Sequence, residues 1–435
     1  MHSGRLRFRI MAVCVVVSCL LPGLIVAAQA QPLSAKEIDV LQEQARRGDA
    51  EAAARIDQAA RAGQPQAEFA AGLLARSGTP QHPADPQKSL QWIRQAAGQG
   101  LDQAQFELGV MAMHGDGVPR DYFASMKWFR KAAAQKYAPA QTGVGWLYDR
   151  GLGVRPDPAK ALDWYQQAIF QGDDNARLLA GDIYAKGRGV AQNGERALYL
   201  YRAAADDGSR AAWTRIGLLY ARGIGVPADP AQALRWFHQA AAQGDLRAVN
   251  NIGCMTAEGM GVPQDYHAAA LWFQQAAAGG YQPAQVNLAL ILQLGLGQKK
   301  NQGQAVHWLQ MAAAKGNPRA LVLLGNDYLQ GRGVERDPQT AGDLFFKAAG
   351  EGDARGGYLL ATLLESEAWD SSSRKQALQW YQLAAAGGNI DAMQRLALAW
   401  RKGQLGLKAD PQQAQQWDQR SQQQIAHEPP LFPLE

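Results

Sequence analysis

Few residues of this chain are spaced for covalent chemistry. Ser372-Ser373-Arg374-Lys375 places Ser372 three positions ahead of Lys375, the S-x-x-K spacing in which a lysine amine activates a serine hydroxyl for acyl transfer. The companion S-D-N and K-T-G motifs are missing, so the pair stands alone. The chain has no HExxH, CxxC, P-loop or GxSxG motif. Its recurring Gly-x-Gly follows a helical rather than a strand pattern, which makes it an interhelix turn and not a phosphate loop. The histidines, among them His82, His114, His238 and His307, share no ligand spacing. The chain is therefore read as a non-enzyme, with no catalytic residue, no cofactor and no metal.

Binding chemistry is better represented. Arg150, Lys186 and Arg222 recur at one spacing, preceded by His114 and followed by Glu258, and form a basic ladder suited to acidic groups. Arg215, Asn251 and Asn287 share a second position, where a guanidinium or amide can grip a peptide backbone or a carboxylate. Trp146 and Trp213 are candidate aromatic anchors. Each has a structural alternative: cations near helix C-termini are favoured by the helix dipole, and the tryptophans can serve packing between helices.

These positions come from a repeat. Trp92, Trp128, Trp164, Trp236, Trp272, Trp308 and Trp380 fall on one 36-residue grid, whose empty points hold Leu200 and Leu344. A second register runs Gly109, Gly145, Gly181, Gly217, Gly253, Ala289, Gly325, Ala361, Ala397. A third contains only small residues, from Ala104 to Ala392. In the unit Ala140 to Gly172, the residues Ala140, Val144, Gly145 and Tyr148 share one face of a first helix, small where another axis must approach. Gly151 ends that helix in a left-handed conformation, and Asp157-Pro158 opens a second one. The cap register Asp121, Asp157, Asn193, Asp229, Asp265, Asn301, Asp337, Ser373 varies in type while every member is a good N-cap. The stop register is glycine except at Lys136, where a left-handed conformation would cost about 1 kcal/mol. Each unit is one αα-hairpin, with Trp236→Ala expected to open a cavity.

The run Ala176, Ala180-Gly181, Tyr184 and Gly187-Arg188-Gly189-Val190, with copies at 212–226 and 320–334, resembles the Sel1-like repeat, a relative of the tetratricopeptide repeat. The resemblance implies an all-α solenoid, a right-handed superhelix of about ten αα-hairpins, with first helices on the concave side. It also implies an adaptor that binds a protein or extended peptide segment, with an acidic glycan or envelope polymer as a second class of partner. A scaffold in exopolysaccharide or envelope assembly is one alternative. A penicillin-interacting, β-lactamase-like activity at Ser372 is the enzymatic one, and it lacks the cysteine pairs seen in such relatives.

Arg5, Arg7 and Arg9, an apolar run from Ile10 and Ala28-Gln29-Ala30 predict a cleaved signal peptide over 1–30, hence a periplasmic or secreted bacterial protein. Removing three arginines lowers the net charge from +5 to +2, too little to suggest nucleic acid as a partner. Only Cys254 then remains, expected as a small buried residue. The division expected is capping helices over 31–64, described as a truncated hairpin, the solenoid over 65–423, and a disordered Pro-rich tail over 424–435. No later stretch is apolar enough to span a membrane, and the sequence fixes no oligomeric state.

Overall fold

The computed structural model describes residues 32–80, 82–366, 371–424 and 430–435. The expected signal peptide over 1–30 lies outside them, as do residues 367–370. The described residues form helices and turns, with one isolated two-residue bridge between Thr79 and His82. The chain divides into two compact units, one ending at Asp121 and one spanning Tyr122–Glu435.

The first unit holds α1 (Ala35–Arg46), α2 (Ala50–Arg61), α3 (Pro65–Ser77), α4 (Pro86–Gly98) and α5 (Asp102–His114). Its opening pair is short: α1 and α2 have 12 residues each and are joined by the tight turn 47–49. Ser34 and Glu37 form a reciprocal capping box at α1, and Asp49 caps α2.

The second unit begins with α6 (Tyr122–Ala134), α7 (Ala138–Arg150), α8 (Pro158–Phe170), α9 (Asp174–Lys186), α10 (Gly194–Asp206), α11 (Arg210–Arg222) and α12 (Pro230–Ala242). It continues with α13 (Leu246–Glu258), α14 (Tyr266–Ala278), α15 (Gln282–Leu294), α16 (Gln302–Ala314), α17 (Pro318–Gln330) and α18 (Pro338–Gly350). It ends with α19 (Ala354–Ser366), α20 (Ser371–Ala386), α21 (Ile390–Lys402) and α22 (Pro411–Gln423). From α7 onward each odd helix pairs with the even helix after it, and each hairpin stacks on the next. Among first helices α7 touches α9, α9 touches α11 and α17 touches α19, which places the odd series on the inner side of this unit.

The caps follow the sequence register. The side chains of Asp157, Asn193, Asp229, Asp265, Asn301 and Asp337 each accept from the backbone N–H three residues on. Ser373 departs from it: α20 starts at Ser371, so Ser373 lies inside the first turn and not at the cap. Lys136 does adopt the left-handed conformation, with φ 65°.

The core corrects the tryptophan reading. From α6 to α20, the large side chain fully buried in each second helix is the one after the tryptophan grid: Phe129, Tyr165, Tyr201, Phe237, Phe273, Leu309, Phe345 and Tyr381 are all at most 2 % exposed. The grid tryptophans themselves are only partly buried. The aromatic ring explains the small-residue register. A Cβ on Gly181 would sit 2.3 Å from Tyr201, and one on Gly217 2.6 Å from Phe237. Where the register holds Ala289, the facing residue is the smaller Leu309.

The buried carboxylates are hydrogen-bonded or ion-paired: Glu68 accepts from Gln99 at 2.7 Å. Asp149 lies 3.0 Å from Arg188, and Asp327, fully buried, accepts from Gln293 at 2.6 Å and from Arg332 at 3.0 Å. Burial outweighs the pull of Arg332 and raises the Asp327 carboxyl from 3.8 to about 6. The folded chain thus binds this proton more tightly than the unfolded one. The associated stability is fully present below pH 4 and is lost as pH rises through 6. In urea unfolding, wild type should gain about 1–2 kcal/mol relative to Asp327→Asn between pH 7 and pH 4. Parallel pH profiles for the two would show that this carboxyl does not titrate as described.

Candidate peptide-binding groove

Two first helices of the second unit differ from the rest. An amphipathic helix normally leaves one face in solvent. Every residue from Ala248 to Ala257 of α13 is buried, and so is every residue from Ala284 to Leu292 of α15. Over them lies the chain's own segment Pro430–Glu435, which hydrogen-bonds to α11, α13 and the start of α17 and packs into the apolar cluster that includes α15. Expected as a disordered tail, these residues are instead held by both ring packing and hydrogen bonds.

Phe432 is the anchor. Its side chain is 1 % exposed and packs beside the Phe273 ring, 5.4 Å between centroids, and near Tyr266 at 6.4 Å. Leu434 packs against the cluster of Ile252 and Met255 that also holds Trp213. Burying the phenyl ring stabilises the docked segment by about 1.5–3 kcal/mol.

Side chains of the helices bind the main chain between these anchors. Arg319 donates to the Leu431 carbonyl at 2.8 Å, and the Glu258 carboxylate accepts from the Phe432 N–H at 3.3 Å. The Cys254 thiol donates to the Pro433 carbonyl at 3.4 Å, and Arg222 to the Leu434 carbonyl at 2.8 Å. Asn251 uses both ends of its amide, accepting from the Glu435 N–H and donating to the Glu435 oxygen, each at 2.9 Å. An amide paired in this way reads backbone and not side chain.

Beneath the segment lies a buried polar floor. Asn287 donates to Asn250 at 3.0 Å and accepts from Arg319 at 3.4 Å. The Asn250 and Asn287 amides also point at the Cys254 sulfur, at 3.6 and 3.7 Å. Burial pushes the Cys254 thiol up from its ordinary value and works against the charge on Arg319.

The eight residues singled out by sequence do not act as one set. Arg222, Asn251, Asn287 and Trp213 come together around the segment. Arg150 and Lys186 stand exposed at the ends of α7 and α9, and Trp146 is half-buried on α7. Arg215 is engaged elsewhere: it bridges α11 to α9 through Asp182 at 2.9 and 3.1 Å, and Tyr201 donates to the same carboxylate at 2.7 Å. Sequence reading missed Arg319, Glu258 and Cys254 as contacts. Ser372 and Lys375 are both exposed on the first turn of α20. Among the described residues, no cluster of histidine, cysteine and acidic side chains is placed to hold a metal ion, and no helix is long and apolar enough to cross a membrane.

The Sel1 repeat matches ten times, over residues 65–101, 102–137, 138–173, 175–209, 213–245, 246–281, 282–317, 318–353, 358–389 and 390–420. Among solved structures, a protective antigen of uropathogenic Escherichia coli with an SLR fold is 32 % identical, covers 85 % of this chain and 79 % of its own, and has a TM-score of 0.49. A Sel1 repeat protein from Oxalobacter formigenes is 28 % identical over 76 % of this chain and 94 % of its own, with a TM-score of 0.47. No curated protein matches the chain.

Proposed function

Since the chain belongs to the Sel1 repeat family, whose fold generally serves as a protein-interaction scaffold, we propose that it binds an extended polypeptide segment of a partner protein in the groove formed by α11, α13, α15 and α17. The observation that carries this reading is the seated segment Pro430–Glu435. A backbone clamp at Asn251 and a buried pocket for one aromatic side chain are the elements by which grooves hold extended peptides: the main chain supplies affinity and the pockets supply specificity. The basic N-terminal stretch with its small-residue cleavage site supports placing this adaptor in the bacterial periplasm or outside the cell, as part of the cell envelope.

The contacts favour a peptide over an acidic polymer. Arg222 is the one member of the ladder Arg150, Lys186, Arg222 that contacts the segment, and it donates to a neutral carbonyl. Partner binding should therefore change little between low and moderate salt, whereas binding along the ladder would weaken with ionic strength. In-cell crosslinking and mass spectrometry of the tagged chain, beside an Asn251→Ala variant and an Arg150→Glu, Lys186→Glu double variant, tests this. A protein partner lost in Asn251→Ala and retained in the double variant is the expected result. A partner lost only in the double variant would move the site to the ladder.

A further inference from the structure

The segment that fills the groove belongs to the chain itself, so groove and segment bear on one question: what the site prefers, and when it is free. We propose that Pro430–Glu435 is a built-in competitor that must leave before a partner enters, and that the partner's own segment has the same chemistry, an aromatic followed by a proline and an aliphatic in extended conformation. This rests on the peptide-groove reading above.

Three observations carry it. First, the side-chain contacts that set specificity are two, Phe432 in its pocket and Leu434 against the Ile252–Met255 cluster, while Leu431 stays exposed. The groove thus selects an aromatic and an aliphatic two residues apart. Second, Pro433 stands between them. It has no N–H to satisfy, and it restricts Phe432 to extended backbone, so the segment enters with little ordering left to do. Third, the contacts from Arg319, Glu258, Cys254, Arg222 and Asn251 all reach main-chain atoms. Any chain of matching side-chain spacing could make them, and none is particular to residues 430–435.

The groove is also specialised for being covered. Counting two positions back from the small-residue register gives Glu107, Gly143, Leu179, Arg215, Asn251, Asn287, Leu323, Leu359 and Arg395, with asparagine only at the two helices beneath the segment. One position after the register, Cys254 presents a small thiol under the Pro433 carbonyl where Trp146 and Asp182 stand in other repeats. Larger side chains there would fill the space the segment occupies.

A competitor tethered to its own site acts at an effective concentration in the millimolar range. Fluorescence anisotropy with a labelled, end-capped Pro-Leu-Phe-Pro-Leu-Glu peptide, and a scrambled peptide of the same composition, measures its effect on the full chain. Phe432→Asp should bind the first peptide about tenfold or more tighter than wild type, with the scrambled peptide bound by neither. Leu434→Asp, which frees the other end of the segment without touching the aromatic pocket, should give a gain in the same direction. Adding Asn251→Ala to Phe432→Asp should abolish the gain. Equal affinity in wild type and both released variants would overturn the competition and leave the peptide groove standing. No binding by released variants whose helical circular dichroism matches wild type would overturn the proposed partner chemistry. Crosslinking lost in Asn251→Ala then decides separately whether the groove takes another kind of segment.

Discussion

Phe237→Ala is expected to cost about 3–5 kcal/mol and to exceed the cost of Trp236→Ala, although tryptophan is the larger side chain and marks the repeat in the sequence. The reason is placement. Phe237 is 0 % exposed, and its ring occupies the space in front of Gly217, where a Cβ would come within 2.6 Å. Trp236 is only partly buried, so part of what alanine removes was already in water. The hairpin α11–α12 cannot close on the missing ring without bringing its axes together, because the facing residue is already glycine. Stability in a stacked array is a sum of units and neighbouring interfaces, so the loss should be local. Hydrogen exchange should show reduced protection in α11 and α12 first, with urea unfolding giving the total. A larger loss in Trp236→Ala would mean that the outer face of the second helices, and not the glycine–aromatic contact, holds the hairpins together.

The second large effect is kinetic. In the wild-type chain, labelling of Cys254 by a thiol reagent should be slow, and Phe432→Asp should accelerate it about a hundredfold. The thiol is fully buried, its sulfur lies under the Pro433 carbonyl, and burial raises its pKa, so the reactive thiolate is scarce. Replacing the buried phenylalanine by aspartate removes the ring's about 1.5–3 kcal/mol and adds the cost of placing a carboxylate in an apolar pocket, together at least about a hundredfold in the opening equilibrium. Peptide mapping by mass spectrometry assigns the label to Cys254. An unchanged rate in Phe432→Asp would show that the helices shield the sulfur without the segment.

Much of the fold was legible because each repeat announces itself. The caps at Asp157 and Asp229 and the left-handed glycines at Gly151 and Gly187 are local choices, set by backbone hydrogen bonding and φ. Which large residue faces the core is a matter of about 100° of helix rotation. The tryptophan grid and the residue after it differ by one position, and only packing distinguishes them. At Ser373 the helix begins three residues early, and local composition did not indicate it.

The groove was half legible. Asn251 and Asn287 stood out because their register elsewhere holds other residue types. Arg319 and Glu258 did not, since their role depends on a segment more than a hundred residues away in sequence. A signal was present nonetheless. Val286 and Leu290, one turn apart, put apolar residues on the same side of α15 as Asn287, and Leu431-Phe432-Pro433-Leu434 is an apolar run in a stretch otherwise read as solvated. Neither is explained alone; each supplies what the other lacks.

The near-uniform spacing of the hairpins suggests a ladder of equivalent sites, but the asparagines occur on α13 and α15 and not on their neighbours. Valency therefore separates from repeat number. On the proposed reading, the repeats from α11 to α17 build one seat, and a partner carrying one matching segment should be held at one-to-one stoichiometry. Lengthening or shortening the array outside α11 to α17 would alter reach and curvature while leaving the number of occupants unchanged.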